Sequence, residues 1–192
     1  ILAANVLSEL EESRRLEPLL DLLDPKGYAV ILEPATRVAS LRLMEWRDGL
    51  VERGWKISAP CLAAMRCPMR AVPDLWCHQD VGWSPPRPLQ EIDERVGLSK
   101  ESLKYSYLVI TREGRTLSDL ANWRVVSNLH REKGKAWAYL CGEGADLWRA
   151  EALTRDRQNL VDFFRSERGD LLRVAGSFQG RLGSDHHVDR LP

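Results

Sequence analysis

The chain has 192 residues, with 28 basic side chains balanced by 28 acidic ones, 44% hydrophobic residues and 29% charged ones. This composition suits a soluble globular domain with a real core and excludes a collagen-like, disordered or coiled-coil chain. A net charge of zero leaves room only for a local basic face, and no apolar run approaches the roughly 18 to 20 residues that cross a bilayer.

Ile1 to Val6 is short and apolar and predicts a buried strand. Neither Met nor a basic leader precedes it, and so abrupt a start reads as a chain cut at its N-terminus from something longer. Ser8 and Glu11 have capping-box spacing, and Leu10, Leu16, Leu19, Leu20 and Leu23 continue a helical pattern until Asp24-Pro25-Lys26-Gly27 breaks it. Tyr28 to Leu32 predicts a second strand. A helix from Thr36 or Arg37 to Arg53 follows, with Val38, Leu41, Met44 and Leu50 inward and Gly54 at its end. Trp55 to Ile57 predicts a third strand. Strands alternating with crossover helices are the rhythm of an α/β sheet.

From Ala59 to about Pro88 the pattern gives way to a Pro- and Cys-rich stretch with little periodicity. Leu103 to Thr111 is a strand by its alternation. Arg124 to Val126 and Ala136 to Leu140 predict two more, joined across Lys133-Gly134. A helix is expected over Arg155 to Arg168. The division that follows is an α/β part at 1–58, a Cys/Pro-rich insertion at 59–100, a strand-rich region with a final helix at 101–175, and a flexible tail at 176–192.

The four cysteines are Cys61, Cys67, Cys77 and, far along the chain, Cys141. Thiolates are soft ligands, and four of them complete a tetrahedral zinc or an iron–sulfur cluster. An irregular loop suits such a site, because the sulfurs must converge from several directions. Spacing alone leaves three readings open: a shared metal, buried free thiols, or disulfides. His78 is either a further ligand or a loop histidine with one backbone hydrogen bond, and His186-His187 reads as solvated.

Glu33-Pro34-Ala35-Thr36 after a strand is followed by Ala59-Pro60-Cys61, Cys67-Pro68-Met69 and Asp74-Leu75-Trp76-Cys77-His78. Lys104-Tyr105-Ser106-Tyr107-Leu108 and Arg124-Val125-Val126-Ser127 come next. In this order the strings resemble the family of methyltransferase-like small-ribosomal-subunit proteins, bacterial and mitochondrial ribosome assembly factors, and the likeness runs from Ile1 to about Arg173. The resemblance implies the C-terminal half of a class I S-adenosylmethionine methyltransferase sheet, Rossmann-like, with a metal-binding insertion and a small β-rich C-terminal part. It also implies a four-iron, four-sulfur cluster on Cys61, Cys67, Cys77 and Cys141, with zinc as the alternative. Departures such as Leu62-Ala63 where Pro-His is usual, and Gln79 after His78, mark a divergent member.

The Gly-rich turn that holds S-adenosylmethionine would precede Ile1, so Asn5 is the one residue expected to line that cofactor pocket; a turn asparagine is the alternative. Between Lys104 and Lys135 basic side chains outnumber acids, with Trp123 and Trp137 among them. The residues alone favour a solvated face; the implied ribosomal family turns the expectation to rRNA contact through Arg124 and Arg131. Two functions are carried forward. One is an S-adenosylmethionine-dependent rRNA methyltransferase, although no catalytic base or nucleophile can be named. The other is a non-catalytic assembly factor with a structural cluster or zinc, and a labile sensing cluster is a rider on both. The expected partner is the small ribosomal subunit and its RNA, with no membrane. The expected location is cytoplasmic in a bacterium and the mitochondrial matrix in a eukaryote; oligomeric state and catalysis are left open.

Overall fold

The apolar opening forms a short strand, β1 (Leu2–Ala4), and a single turn of helix, α1 (Glu17–Leu20), precedes β2 (Ala29–Pro34). The computed structural model describes residues 1–10, 16–98, 100–176 and 178–191. The capping-box start expected at Ser8 and Glu11 therefore falls partly outside the described residues. β1 runs parallel to β2, with Leu2 opposite Val30. Leu16 and Leu20 are buried against the sheet, which accounts for the leucine spacing ahead of Asp24-Pro25.

The predicted second helix is α2 (Arg37–Glu52), begun by the Thr36 hydroxyl, which accepts from the Ala39 amide at 3.3 Å. It ends where Gly54 takes a left-handed conformation (φ 83°), which a residue with a Cβ enters only at a cost. Of the four side chains expected inward, Met44 and Leu50 are buried and Leu41 is partly buried, but Val38 is exposed. The buried stripe instead runs through Leu43, Trp46 and, unusually, Arg47 and Asp48.

β3 (Lys56–Ala59) follows, and β4 (Gln79–Gly82) lies within the Cys/Pro-rich stretch. A helix that the sequence did not announce, α3 (Arg87–Val96), comes next and buries none of its residues. β5 (Ser102–Thr111) then organises the five-stranded sheet. One edge of β5 pairs antiparallel with the whole of β2; the other pairs with β3 near Thr111 and with β4 near Ser102. β2 and β3, the two ends of the α2 crossover, are therefore not neighbours, because β5 stands between them. Its inward residues are Ser106, Leu108 and Ile110, packed with Ile31, Leu43, Leu50 and Ile57.

A second sheet, of seven strands, occupies the rest of the chain. β6 (Trp123–Val125) and β7 (His130–Glu132) both pair with β8 (Lys135–Gly142), so the Lys133-Gly134 turn joins β7 to β8 and not the two strands predicted around it. β9 (Leu147–Leu153) completes a hairpin with β8. The helix expected over Arg155–Arg168 is much shorter: a 3-10 turn at Thr154–Asp156 and then α4 (Val161–Arg165). β10 (Leu171–Ala175) pairs with β6, and the segment expected to be a flexible tail contributes β11 (Arg181–Leu182) beside β9 and β12 (His187–Arg190) beside β10. Alternation of small and large side chains builds this core: Ala136, Ala138, Ala150 and Ala152 leave room for Leu140, Phe163 and Phe164.

Candidate functional site

The two sheets meet across a third, smaller apolar cluster built on Met44, Met69 and Val126, and all four cysteines face this region. Cys61 follows β3, Cys67 precedes a 3-10 turn at Pro68–Ala71, Cys77 precedes β4, and Cys141 lies near the end of β8. Together with Arg47, His78, Tyr107 and Arg124 they line a cavity of about 40 Å³. All four are free thiols, so the disulfide reading does not apply.

The metal expectation is corrected. Among the described residues no group of three or more His, Cys, Asp and Glu side chains is placed to hold a metal ion. Cys61, Cys67, Cys77 and Cys141 share a cavity without forming such a group. The four-iron cluster, its zinc alternative, the metal-binding insertion and the labile sensing cluster fall together.

Protein groups supply the order that a metal was expected to give the loop. The Arg47 guanidinium donates to Asp48 at 2.7 Å and to the backbone carbonyls of Ala63 and Met65. Asp48 in turn accepts from the Cys67 amide at 2.9 Å and from Arg70 at 2.8 Å. On the far side, Ser106 donates to the Cys77 carbonyl at 2.7 Å and shares a hydrogen bond with Ser40, while the Trp76 indole donates to the Ala35 carbonyl. Two neighbouring charged residues on a helix thus pin the part of the loop from Ala63 to Arg70, and Ser106 and Trp76 hold the part that leads to β4. His78 makes a single backbone hydrogen bond, with the Trp76 carbonyl 3.1 Å from its Nδ1, and no metal contact is placed around it.

Burial pushes the Cys67 thiol up to about 12, with Cys61 and Cys77 adding to the effect, and it raises Cys61 and Cys141 as well. A thiol must ionise to act as a nucleophile. Alkylation of Cys67 at pH 8 is therefore expected to run about a thousandfold slower in the native protein than in the urea-unfolded chain. Mass-spectrometric timing of iodoacetamide labelling checks this; equal rates in the two states would show that the cavity does not form.

Arg124, expected at an RNA surface, is instead 3% exposed. Its Nη1 lies 3.5 Å from the Cys77 sulfur, and its Nη2 has no hydrogen-bond partner among the described residues. Arg124 is the middle residue of β6, a strand buried on both faces, and with Val126 it faces the cavity while Val125 enters the second sheet's core. Arg131, on β7, is exposed and donates through Nη2 to the Phe164 carbonyl at 2.7 Å. Trp123 packs on Phe178 in the core, whereas Trp137 stacks with His130 at 4.0 Å and lies under Arg149 at 4.2 Å. Most of the remaining basic residues are engaged: Lys104 with Asp80, Arg112 over Trp55, and Lys135 with Glu151.

Asn5 ends β1 in a left-handed conformation (φ 56°), exposed, with its amide donating to the Leu32 carbonyl at 2.8 Å. Asn tolerates this conformation better than most residues. Just beyond it, the buried Glu33 carboxylate accepts from the amides of Leu7 at 2.8 Å and Ser8 at 3.2 Å. The Glu33-Pro34-Ala35-Thr36 string thus has two structural duties, fastening the turn after β1 and capping α2.

Comparison with known families accounts for the rest of the motif order. Residues 1–175 match Rsm22, described as mitochondrial small ribosomal subunit Rsm22. The chain belongs to the Rsm22 family. The match spans the first sheet and continues through β10 of the second, so both halves of the cavity lie inside it. No curated protein matches the chain. Among the described residues no helix is long and apolar enough to cross a membrane.

The sequence reading missed Arg47 and Asp48. A signal for Arg47 was available: it stands three and four residues from Met44 and Leu43 and three before Leu50, on the apolar stripe itself. A charge at such a position is either paired or functional.

Proposed function

We propose that this Rsm22-family chain acts at the small ribosomal subunit, as a protein that holds subunit RNA during assembly. The observation that carries the reading is the family match across 1–175, which takes in most of both sheets. The exposed Arg131 on β7 supports an RNA-contacting role, and its counterpart Arg124 supports cohesion between the sheets instead. In a eukaryotic cell the site of action would be the mitochondrial matrix, and in a bacterium the cytoplasm.

The test is sedimentation of the chain with small-subunit particles through a sucrose gradient at rising salt. Co-migration at low salt, with progressive release as salt increases, is the expected result, since phosphate contacts weaken as counterions compete. Protein that stays at the top of the gradient at every salt concentration would overturn the proposal.

A further inference from the structure

We infer that the open groove between the 3-10 turn at Thr154–Asp156 and α4 is a binding site for the phosphodiester backbone of RNA, a deepening that rests on the RNA-holding role proposed above. The groove is lined by Thr154, Arg155, Arg157, Gln158, Val161 and Arg165. Three of these six are exposed arginines, in a protein whose acidic and basic residues are equal in number. The cluster is therefore a local separation of charge, which attracts a polyanion over a distance set by salt.

The geometry concentrates these cations around one residue. Phe164 carries the Arg157 guanidinium over its ring at 5.8 Å, its carbonyl accepts from Arg131, and Arg165 is its chain neighbour. Arg131, the exposed residue already expected to meet RNA, is thereby brought from β7 to the same end of α4. The acids close by leave the groove positive. Asp156 stands 4.0 Å from Arg155, at the limit of an ion pair, and is only 18% exposed in its side chain. Asp162 is turned to β12, where it accepts from the Arg190 amide at 2.8 Å. Gln158 and the Thr154 hydroxyl add neutral donors of the kind that position phosphates and ribose hydroxyls. Planar guanidinium groups suit phosphate oxygens because they offer paired donors in a fixed fork.

Fluorescence anisotropy of the 192-residue chain with a short labelled single-stranded RNA tests the inference. The groove variant carries Arg155→Gln, Arg157→Gln and Arg165→Gln; the control carries Arg66→Gln, Arg87→Gln and Arg95→Gln, three exposed arginines elsewhere. The groove variant is expected to bind about tenfold or more weakly at low salt, with the slope of log K against log salt shallower by about 2, while the control binds as the unmodified chain does. Replacing the same three groove residues by Lys is expected to keep most of the binding and separates lost charge from lost fold. Equal losses in both triple variants would reduce the effect to overall charge and overturn the site. Unchanged binding by the groove variant would overturn it too, yet leave the sedimentation result and the RNA-holding role standing. Full competition by inorganic phosphate, or equally tight binding of polyglutamate, would replace an RNA backbone by a single phosphate or an acidic polypeptide and is likewise contrary.

Discussion

Asp48→Ala is expected to destabilise the protein by about 3–5 kcal/mol, because it strips the partner from a buried guanidinium. Asp48 is 4% exposed, and it holds Arg47, Arg70 and the Cys67 amide at once. Without it Arg47 keeps the carbonyls of Ala63 and Met65 but loses its carboxylate partner, and the Cys67 amide and Arg70 lose their anchor on α2. Urea denaturation followed by tryptophan fluorescence measures the loss. A cost below about 1 kcal/mol, the range of exposed ion pairs, would show that the cluster is not desolvated.

The same residue gives the protein an acid limb. Burial acts to raise the Asp48 pKa, but hydrogen bonds from Arg70, Arg47 and the Cys67 amide outweigh it, and the carboxyl is held below its ordinary range. A carboxyl that binds protons less readily when folded stabilises the native state above its unfolded pKa of about 3.9. That contribution is lost as pH falls through the lower, folded value. Asp48→Asn is therefore expected to flatten the decline of stability below about pH 4, leaving the curve at neutral pH lower but less steep.

Phe163→Ala is expected to cost about 3–5 kcal/mol, for a different reason. Phe163 is wholly buried in the second sheet's core, edge-on to Phe164 at 5.9 Å, and its loss leaves a cavity between α4 and the sheet. The partners of Phe163 and Asp48 are separate, so the two costs are expected to add within about 0.5 kcal/mol in the double variant. A large shortfall from additivity would mean that the two sheets unfold one after the other, not as one cooperative unit.

Much of the first sheet was legible because its strands are short apolar runs closed by strong punctuation: Gly27 before β2, Thr36 opening α2, Gly54 closing it. The second sheet was harder to read. β9 carries Arg149 and Glu151 among its inward alanines, and small residues give little hydrophobic contrast to a period of two. β12 reads as polar tail because only Val188 of its four residues is buried. At the site, Cys61, Cys67, Cys77 and Cys141 were expected to hold one metal centre; they line one cavity without forming such a group, and thiol chemistry alone cannot tell a shared apolar wall from a coordinating set. What distinguishes them here is Arg47 and Asp48, whose burial depends on the path of a distant loop and leaves only one local trace, the place of Arg47 on the apolar stripe of α2. Arg124 misled for a similar reason: a strand's alternation fixes which residues share a face, but not which face meets the neighbouring sheet.

The position of β5 bears on how this chain is born. It fills the gap between β2 and β3, and among the described residues no other strand bridges them, so the facing hydrogen-bonding edges of both wait for a segment that ends at Thr111. During synthesis the chain must leave the exit tunnel as far as Thr111 before this sheet can close. Until then the nascent chain carries unpaired strand edges beside an exposed apolar helix face, the condition in which chaperones bind.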